Sequence, residues 1–363
     1  MPKVAYYIDP LLEYTVNHAE QSILGAIPDL VSALLPAEQV ALTLDPELTM
    51  ESHEGLELVH LPVPKITWRS RERSRVAVFE AWNKKSPGTV LVQFSPGRFI
   101  PAQGNPTVLF TTSEAILAAP RAAQWAAAHT IVLPSAAAVE KIRSAFPRCT
   151  SRIISRQPLL EQPAETLGWA GQEQVKLKYT NGRDYCLYAG SLSASQGAMP
   201  ALKAYSLFKK WLMTGMPLVL AGRSTEETAD LERLLTTYKY KADVLLYPDP
   251  EEEDWRNLVA GAYMLVHTQT TGDHYPLEWA LSAGTPAACV QSQDLGEWPG
   301  DAVLWAAADD HDQLAHALML LYKDEGQRNT LIEKGKKLAM EYNREHTLKA
   351  WAGIINDRLA EIG

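Results

Sequence analysis

The residues best equipped for chemistry lie in one run, Thr270 to Pro286, which reads TTGDHYPLEWALSAGTP. Pro276 suits the first turn of a helix, where its missing N–H costs nothing, and Gly284-Thr285-Pro286 stops that helix ahead of a following strand. Glu278 then stands in the first turn. The unpaired amides of such a turn suit a diphosphate, and a carboxylate beside them suits a pair of sugar hydroxyls. An acid at this position also complements the helix dipole, which is the purely structural reading of Glu278.

Other loops offer less. AGSLSASQGAMP places Gly190 and Gly197 around small residues, so that a ligand could approach the backbone; a tight strand-to-helix turn needing glycine explains the same residues. No Gly-Lys-Ser/Thr closes it, so it is not a Walker loop. Arg223, after Gly222, could neutralise a phosphate or simply be solvated. The acidic run Glu251–Asp254 fits a helix start and is given no catalytic role. His18, His53 and His60 are candidates for an acceptor-side base, each with a structural alternative. In WRSRERSRVAVF, Arg69, Arg71, Arg73 and Arg75 at spacing two could turn one basic face to an anionic lipid head group, with Trp68 and Phe79 nearby; a solvated segment leading into a helix is the alternative.

The elements that must position these residues alternate between short β-rich runs and helical patterns, the signature of doubly wound parallel sheets. In the first half strands are expected at Val4–Ile8, Gln39–Leu44, Leu56–Leu61, Thr89–Phe94, Thr107–Phe110, Thr130–Leu133 and Arg152–Ile154. In the second they are expected at Tyr185–Tyr188, Pro217–Ala221, Val244–Tyr247, Tyr263–His267, Ala287–Val290 and Ala302–Trp305. Ligands of such sheets sit at the carboxyl ends of the strands, which is where the loops above fall. The stretch 161–182, rich in Gln, Glu and Gly, reads as a linker between an N-terminal domain, 1–160, and a C-terminal domain, 183–345. A last helix, 346–363, is expected to return to the N-terminal domain.

A chain of 363 residues exceeds what one core usually organises. Its formal charge of −9 disfavours nucleic acid as a partner. Three scattered cysteines, Cys149, Cys186 and Cys289, give neither a disulfide framework nor a zinc site, and are expected as buried free thiols. No signal peptide and no run of ~18 apolar residues is evident. A cytoplasmic protein is expected, with peripheral contact at the inner face of a membrane left open through the four arginines.

Several ordered segments resemble the retaining, nucleotide-sugar-dependent glycosyltransferases of family 4, of GT-B fold. YCLYAGSLSASQGAMPALKAYSLFKK is similar to the family's strand, Gly-Arg-x-Ser-x-x-Lys-Gly loop and helix. MPLVLAGRS is similar to the next strand and glycine turn, and the run through TTGDHYPLEWALSAGTPAACV to the part ending in Glu-x7-Glu and Ala-x-Gly-x-Pro-Val. AAHTIVLPSAAAVEKIRSAFPRCTSRIISRQP resembles the last acceptor-domain strand, helix and return strand.

The resemblance implies two Rossmann-like domains facing a cleft. It also implies a donor held by Gly190, Ser191, Gln196, Gly197, Tyr247, Thr270, Thr271, Gly272, Tyr275 and Glu278, with Glu278 on the ribose and the Tyr247 backbone on the base. The acceptor is a glycan, lipid-linked or small-molecule hydroxyl, and neither metal nor other cofactor is implied. Ser191 and Gln196 stand where the family has the Arg and Lys that neutralise the leaving diphosphate, and Thr270 stands for the first Glu. Arg223 and His274 are the candidates to replace those cations. A binding or scaffold protein that kept the fold and lost the chemistry is the alternative reading.

Overall fold

The structure, a computed structural model, describes residues 3–8, 27–34, 37–43, 54–61, 71–94, 104–111, 116–117, 125, 128–133, 136–155, 164–193, 197–270, 274–292, 295, 298–341 and 344–361. The chain divides into two units, Met1–Leu159 with Arg344–Gly363, and Leu160–Asn343.

In the first unit seven strands pair in parallel: β1 (Lys3–Tyr7), β2 (Glu38–Thr43), β3 (Leu56–His60), β4 (Thr89–Phe94), β5 (Thr107–Phe110), β6 (Thr130–Leu133) and β7 (Arg152–Ser155). Their order is β3-β2-β1-β4-β5-β6-β7. Every residue of β4 is buried, as expected for a parallel strand covered on both faces. The direction of winding reverses between β1 and β4, and Val4 lies opposite Val90 there. The residues that follow these two strands, 9–26 and 95–100, lie outside the described set, and so does His18; His53 is outside it too. His60 is exposed at the end of the edge strand β3.

Helix α1 (Arg71–Lys85) takes in Arg71, Arg73 and Arg75. Arg69 and Trp68 lie outside the described residues, and Phe79 is fully buried, 4.9 Å from the Tyr7 ring, and so unavailable to a membrane. Among the described residues no helix is long and apolar enough to cross a membrane. Helix α2 (Ala136–Ala145) packs Val139 and Ile142 into the core.

The second unit repeats the plan with six parallel strands in the order β10-β9-β8-β11-β12-β13. These are β8 (Cys186–Ala189), β9 (Leu218–Gly222), β10 (Val244–Pro248), β11 (Met264–His267), β12 (Ala287–Val290) and β13 (Leu304–Ala306). The last strand starts later than Ala302 because residues 300–302 form a 3-10 turn. Side chains alternate across the sheet: Tyr188, Leu220 and Val266 pack on α4 (Ala198–Leu212) and α8 (His311–Lys323), while their neighbours face the other layer. That other layer holds α6 (Glu252–Ala260), α7 (Tyr275–Ala283) and α9 (Glu325–Glu341); α5 (Thr228–Thr237) links β9 to β10.

The stretch 161–182 departs from the expected linker. Residues Trp169–Thr180 form helix α3, anchored by buried Val175, Tyr179 and Thr180 and ended by Asn181 in the left-handed region at φ 54. Its Lys178 pairs with Asp254 at 2.6 Å, and Tyr179 accepts a hydrogen bond on its carbonyl from the Tyr247 hydroxyl at 2.6 Å. A mostly solvated Gln-, Glu- and Lys-rich surface hid the few apolar residues that fix it. The final helix, α10 (Arg344–Ala360), belongs to the first unit, where Trp351 lies 4.4 Å from the Phe110 ring and Arg344 pairs with Asp29 at 3.0 Å.

Candidate functional site

In the second unit winding reverses between β8 and β11, and in doubly wound sheets ligands bind at the carboxyl ends of the strands at such a point. Side chains and backbone both tie down the loop after β8: the Tyr188 hydroxyl donates to Ser191 O at 2.7 Å and the Thr228 hydroxyl to Leu192 O at 3.0 Å. Gly190 N–H donates to Ala221 O at 3.0 Å and Leu192 N–H to Arg223 O at 2.8 Å. Asp249 N–H donates to Gly222 O at 2.7 Å, fastening the loop after β10 to the same rim. Only glycine fits at 222: at φ +154, an added Cβ would lie 1.6 Å from Gly190 O. Gly197, at φ +119, starts α4, and the Thr268 hydroxyl donates to its carbonyl at 2.6 Å, joining the loops after β8 and β11.

These ties place many of the residues singled out in the sequence. Gly190, Ser191, Gly197, Thr270 and His274 all belong to the loops leaving β8 and β11, and Tyr275 and Glu278 to the first turn of α7. His274 caps α7, its carbonyl accepting from Leu277 N–H at 2.9 Å and Glu278 N–H at 3.2 Å. Glu278 is half-buried, Tyr275 is buried and Thr270 is exposed. Gln196, Thr271 and Gly272 lie outside the described residues. Tyr247 turns its ring away to α3, edge-on to Tyr179 at 5.5 Å, so its backbone is what remains for a ligand.

The electrostatics differ from expectation at one residue. Burial lowers the His274 pKa to about 4, so the ring is neutral near pH 7 and is no standing cation; its Nε2 is enclosed although the residue as a whole is half-buried. Arg223 is half-buried on the rim. Close by, hydrogen bonds from Ser224, with a smaller pull from Arg223, hold the Asp249 carboxyl below its usual range.

Three polar residues at the end of β11 escaped the sequence reading: His267, Thr268 and Gln269. Gln269 lies across the glycine loop, its Oε1 2.5 Å from where a Cβ on Gly190 would be. His267 Nε2 and His274 Nδ1 are 2.9 Å apart. The available signal was a histidine on the covered face of an apolar strand, with a second histidine at the next helix start.

Elsewhere in the unit a pocket of about 500 Å³ is lined by Ala164, Glu165, Leu167 and residues of α6 including Glu252, Glu253 and Arg256. Three carboxylates repel a diphosphate, and the pocket shares no residue with the glycine loops, so the site is not assigned there. Cys186 and Cys289 are buried, and burial pushes both thiols up, leaving them protonated and inert. Among the described residues no group of three or more His, Cys, Asp or Glu is placed to hold a metal ion.

Residues 172–338 match the family of glycosyl transferases group 1. The chain is 25% identical over 202 residues to the O-antigen chain mannosyltransferase B of Escherichia coli, covering 54% of this chain and 50% of that protein, so it spans about half the length of that curated relative. Among solved structures it is similar to WaaG, a glycosyltransferase involved in lipopolysaccharide biosynthesis, with a TM-score of 0.70 at 15% identity over 97% of this chain and 99% of that one. It is also similar to a structure described as trehalose-6-phosphate from E. coli bound with UDP-2-fluoro glucose, with a TM-score of 0.70 at 11% identity over 98% and 99% of the two chains. At these identities the likeness to the solved structures is one of fold, and that fold is GT-B.

Proposed function

We propose that this chain, a GT-B protein whose residues 172–338 belong to the glycosyl transferases group 1, moves a hexose from a nucleotide diphosphate sugar to an acceptor hydroxyl with retention of anomeric configuration. The observation that carries the reading is the joining of the Gly190–Gly197 loop, the end of β11 and the start of α7 at the point where the second sheet reverses its winding. Amides of the glycine loop and of the α7 first turn take the diphosphate, the Glu278 carboxylate takes the ribose hydroxyls, and the Tyr247 backbone borders the base. Arg223 is the rim cation available to charge that develops on the leaving diphosphate. In this reading amides and side-chain cations do the work, and neither metal nor other cofactor is called on. The mannosyltransferase relative favours a saccharide acceptor.

Titration calorimetry with UDP-glucose and GDP-mannose tests the donor site. A hydrogen bond to a charged group contributes about 1.5–3 kcal/mol, so Glu278→Ala is expected to weaken binding roughly 10- to 100-fold. Unchanged affinity would sink the assignment of Glu278.

A further inference from the structure

The donor-site reading leaves the two histidines beside it unused. His267 ends β11, is 1% exposed, and lies on the sheet face that α7 covers; His274 caps α7. The rings meet through His267 Nε2 and His274 Nδ1 at 2.9 Å, with centroids 5.1 Å apart and planes inclined by 66°. The outer nitrogens, His267 Nδ1 and His274 Nε2, are both enclosed and have no hydrogen-bond partner among the described residues, and the same holds for Oε1 of the neighbouring Gln269. Enclosed polar atoms of this kind each cost about 1–3 kcal/mol, and a native structure retains them together only where something else completes them.

We propose that the His267–His274 pair takes up one proton when the diphosphate of a nucleotide sugar binds beside it, supplying the positive charge that Ser191 and Gln196 do not. This inference rests on the donor site proposed above. The neutral pair holds two ring protons, one between the rings and one at an outer nitrogen. One proton from solvent gives a pair with a bridging N–H⁺···N bond and an N–H at each outer nitrogen, which fits His274 Nε2 to donate to an anionic oxygen. No covalent bond to the ligand forms or breaks.

The surroundings leave the pair free to respond. Along α7 the charged neighbour is Glu278, one turn on. On β8 and β12 the titratable groups are Tyr188, Cys186 and Cys289, all held neutral by burial. Arg256 of α6 is paired with Glu252 and lies over the Trp279 ring, Lys336 of α9 sits at the far end of α7 beside Gly284, and Arg223 and Asp249 stand on the rim. The low pKa of His274 follows from burial alone, and that of His267 from burial and then from His274. An anion therefore has a large range over which to raise them.

The sign follows from linkage. The pair is neutral at pH 7 in the empty protein and gains a proton on binding, so affinity rises as pH falls, from the bound-state pKa down towards the free-state value, by up to about tenfold per pH unit. Nucleotide sugars carry a diphosphate diester and lack the phosphate monoester ionisation near pH 6, so protons taken up come to the protein.

The test is calorimetry of the full chain with UDP-glucose and GDP-mannose between pH 5.5 and 8, in buffers of different ionisation enthalpy. Uptake approaching one proton per bound ligand is expected, and it is expected to vanish in both His274→Gln and His267→Gln. Binding without proton uptake, or uptake that persists in both variants, overturns the inference while leaving the donor site standing. Absence of binding by either nucleotide sugar overturns the donor site, and the inference with it. If His267→Gln fails to fold, the pH slope of the unaltered chain and His274→Gln decide.

Discussion

Gly222→Ala places a methyl group against backbone rather than against a side chain that can swing aside. The added carbon would stand 1.6 Å from Gly190 O, 2.7 Å from its carbonyl carbon and 3.0 Å from its nitrogen. Contact at van der Waals distance needs a shift of about 2 Å, and that shift would break the Gly190–Ala221 and Asp249–Gly222 backbone bonds together. Strained backbone at 1–3 kcal/mol and two lost buried hydrogen bonds at about 1 kcal/mol each give a loss of roughly 3–5 kcal/mol. For a unit of this size that is a fall in Tm of about 6–20 °C. Gly215→Ala is the control, because its Cβ would meet nothing within 4 Å; it is expected to be neutral or slightly stabilising. Thermal unfolding followed by circular dichroism reads both, and calorimetry with a nucleotide sugar reads the accompanying loss of affinity in Gly222→Ala. Equal Tm values for the two variants would refute the argument that the rim is fixed by this backbone contact.

Thr268→Val removes the 2.6 Å bond to Gly197 O while keeping the shape of the side chain; about 1–3 kcal/mol of stability should go, with a matching loss of nucleotide affinity by calorimetry. Trp351→Ala empties a site against Phe94 and Phe110 and is expected to cost roughly 3–5 kcal/mol in denaturant unfolding, with nucleotide affinity unchanged because the donor residues lie in the other unit. Stability should also fall as the solution is acidified. The unfolded chain protonates His274 near pH 6.5 whereas the folded chain resists until about pH 4, so stability is full above about pH 6.5 and drops through that window by roughly 3 kcal/mol at most. Urea melts at pH 7 and pH 5 read the difference, which His274→Gln should reduce.

The strands were the legible part of the fold. Thr89–Phe94, Thr107–Phe110, Thr130–Leu133 and Ala287–Val290 are short apolar runs between turn residues, and the structure has them with those bounds. Alternation of such runs with helices leaves little but two doubly wound sheets, and that is the fold found. Helix α3 was illegible because three buried residues hold an otherwise polar surface, and spacing alone does not separate such a helix from solvated chain.

Within the candidate site, the turns at Gly190 and Gly197 and the helix start ahead of Glu278 were legible because turn and cap chemistry is local. The His267–His274 contact was not, since it depends on where the loop between β11 and α7 returns, and seven residues of separation matches neither strand nor helix pairing through one loop. The closure of the rim was hidden too, because it is made by backbone groups of Gly190, Gly222 and Asp249 whose side chains advertise nothing.

Hydrogen exchange of the full chain with and without a saturating nucleotide sugar tests most directly where the donor binds. Added protection is expected at residues 189–193, at the start of α4, at 268–270 and across the first turn of α7. Protection confined to residues 164–167 and α6, around the acidic pocket, would contradict the account.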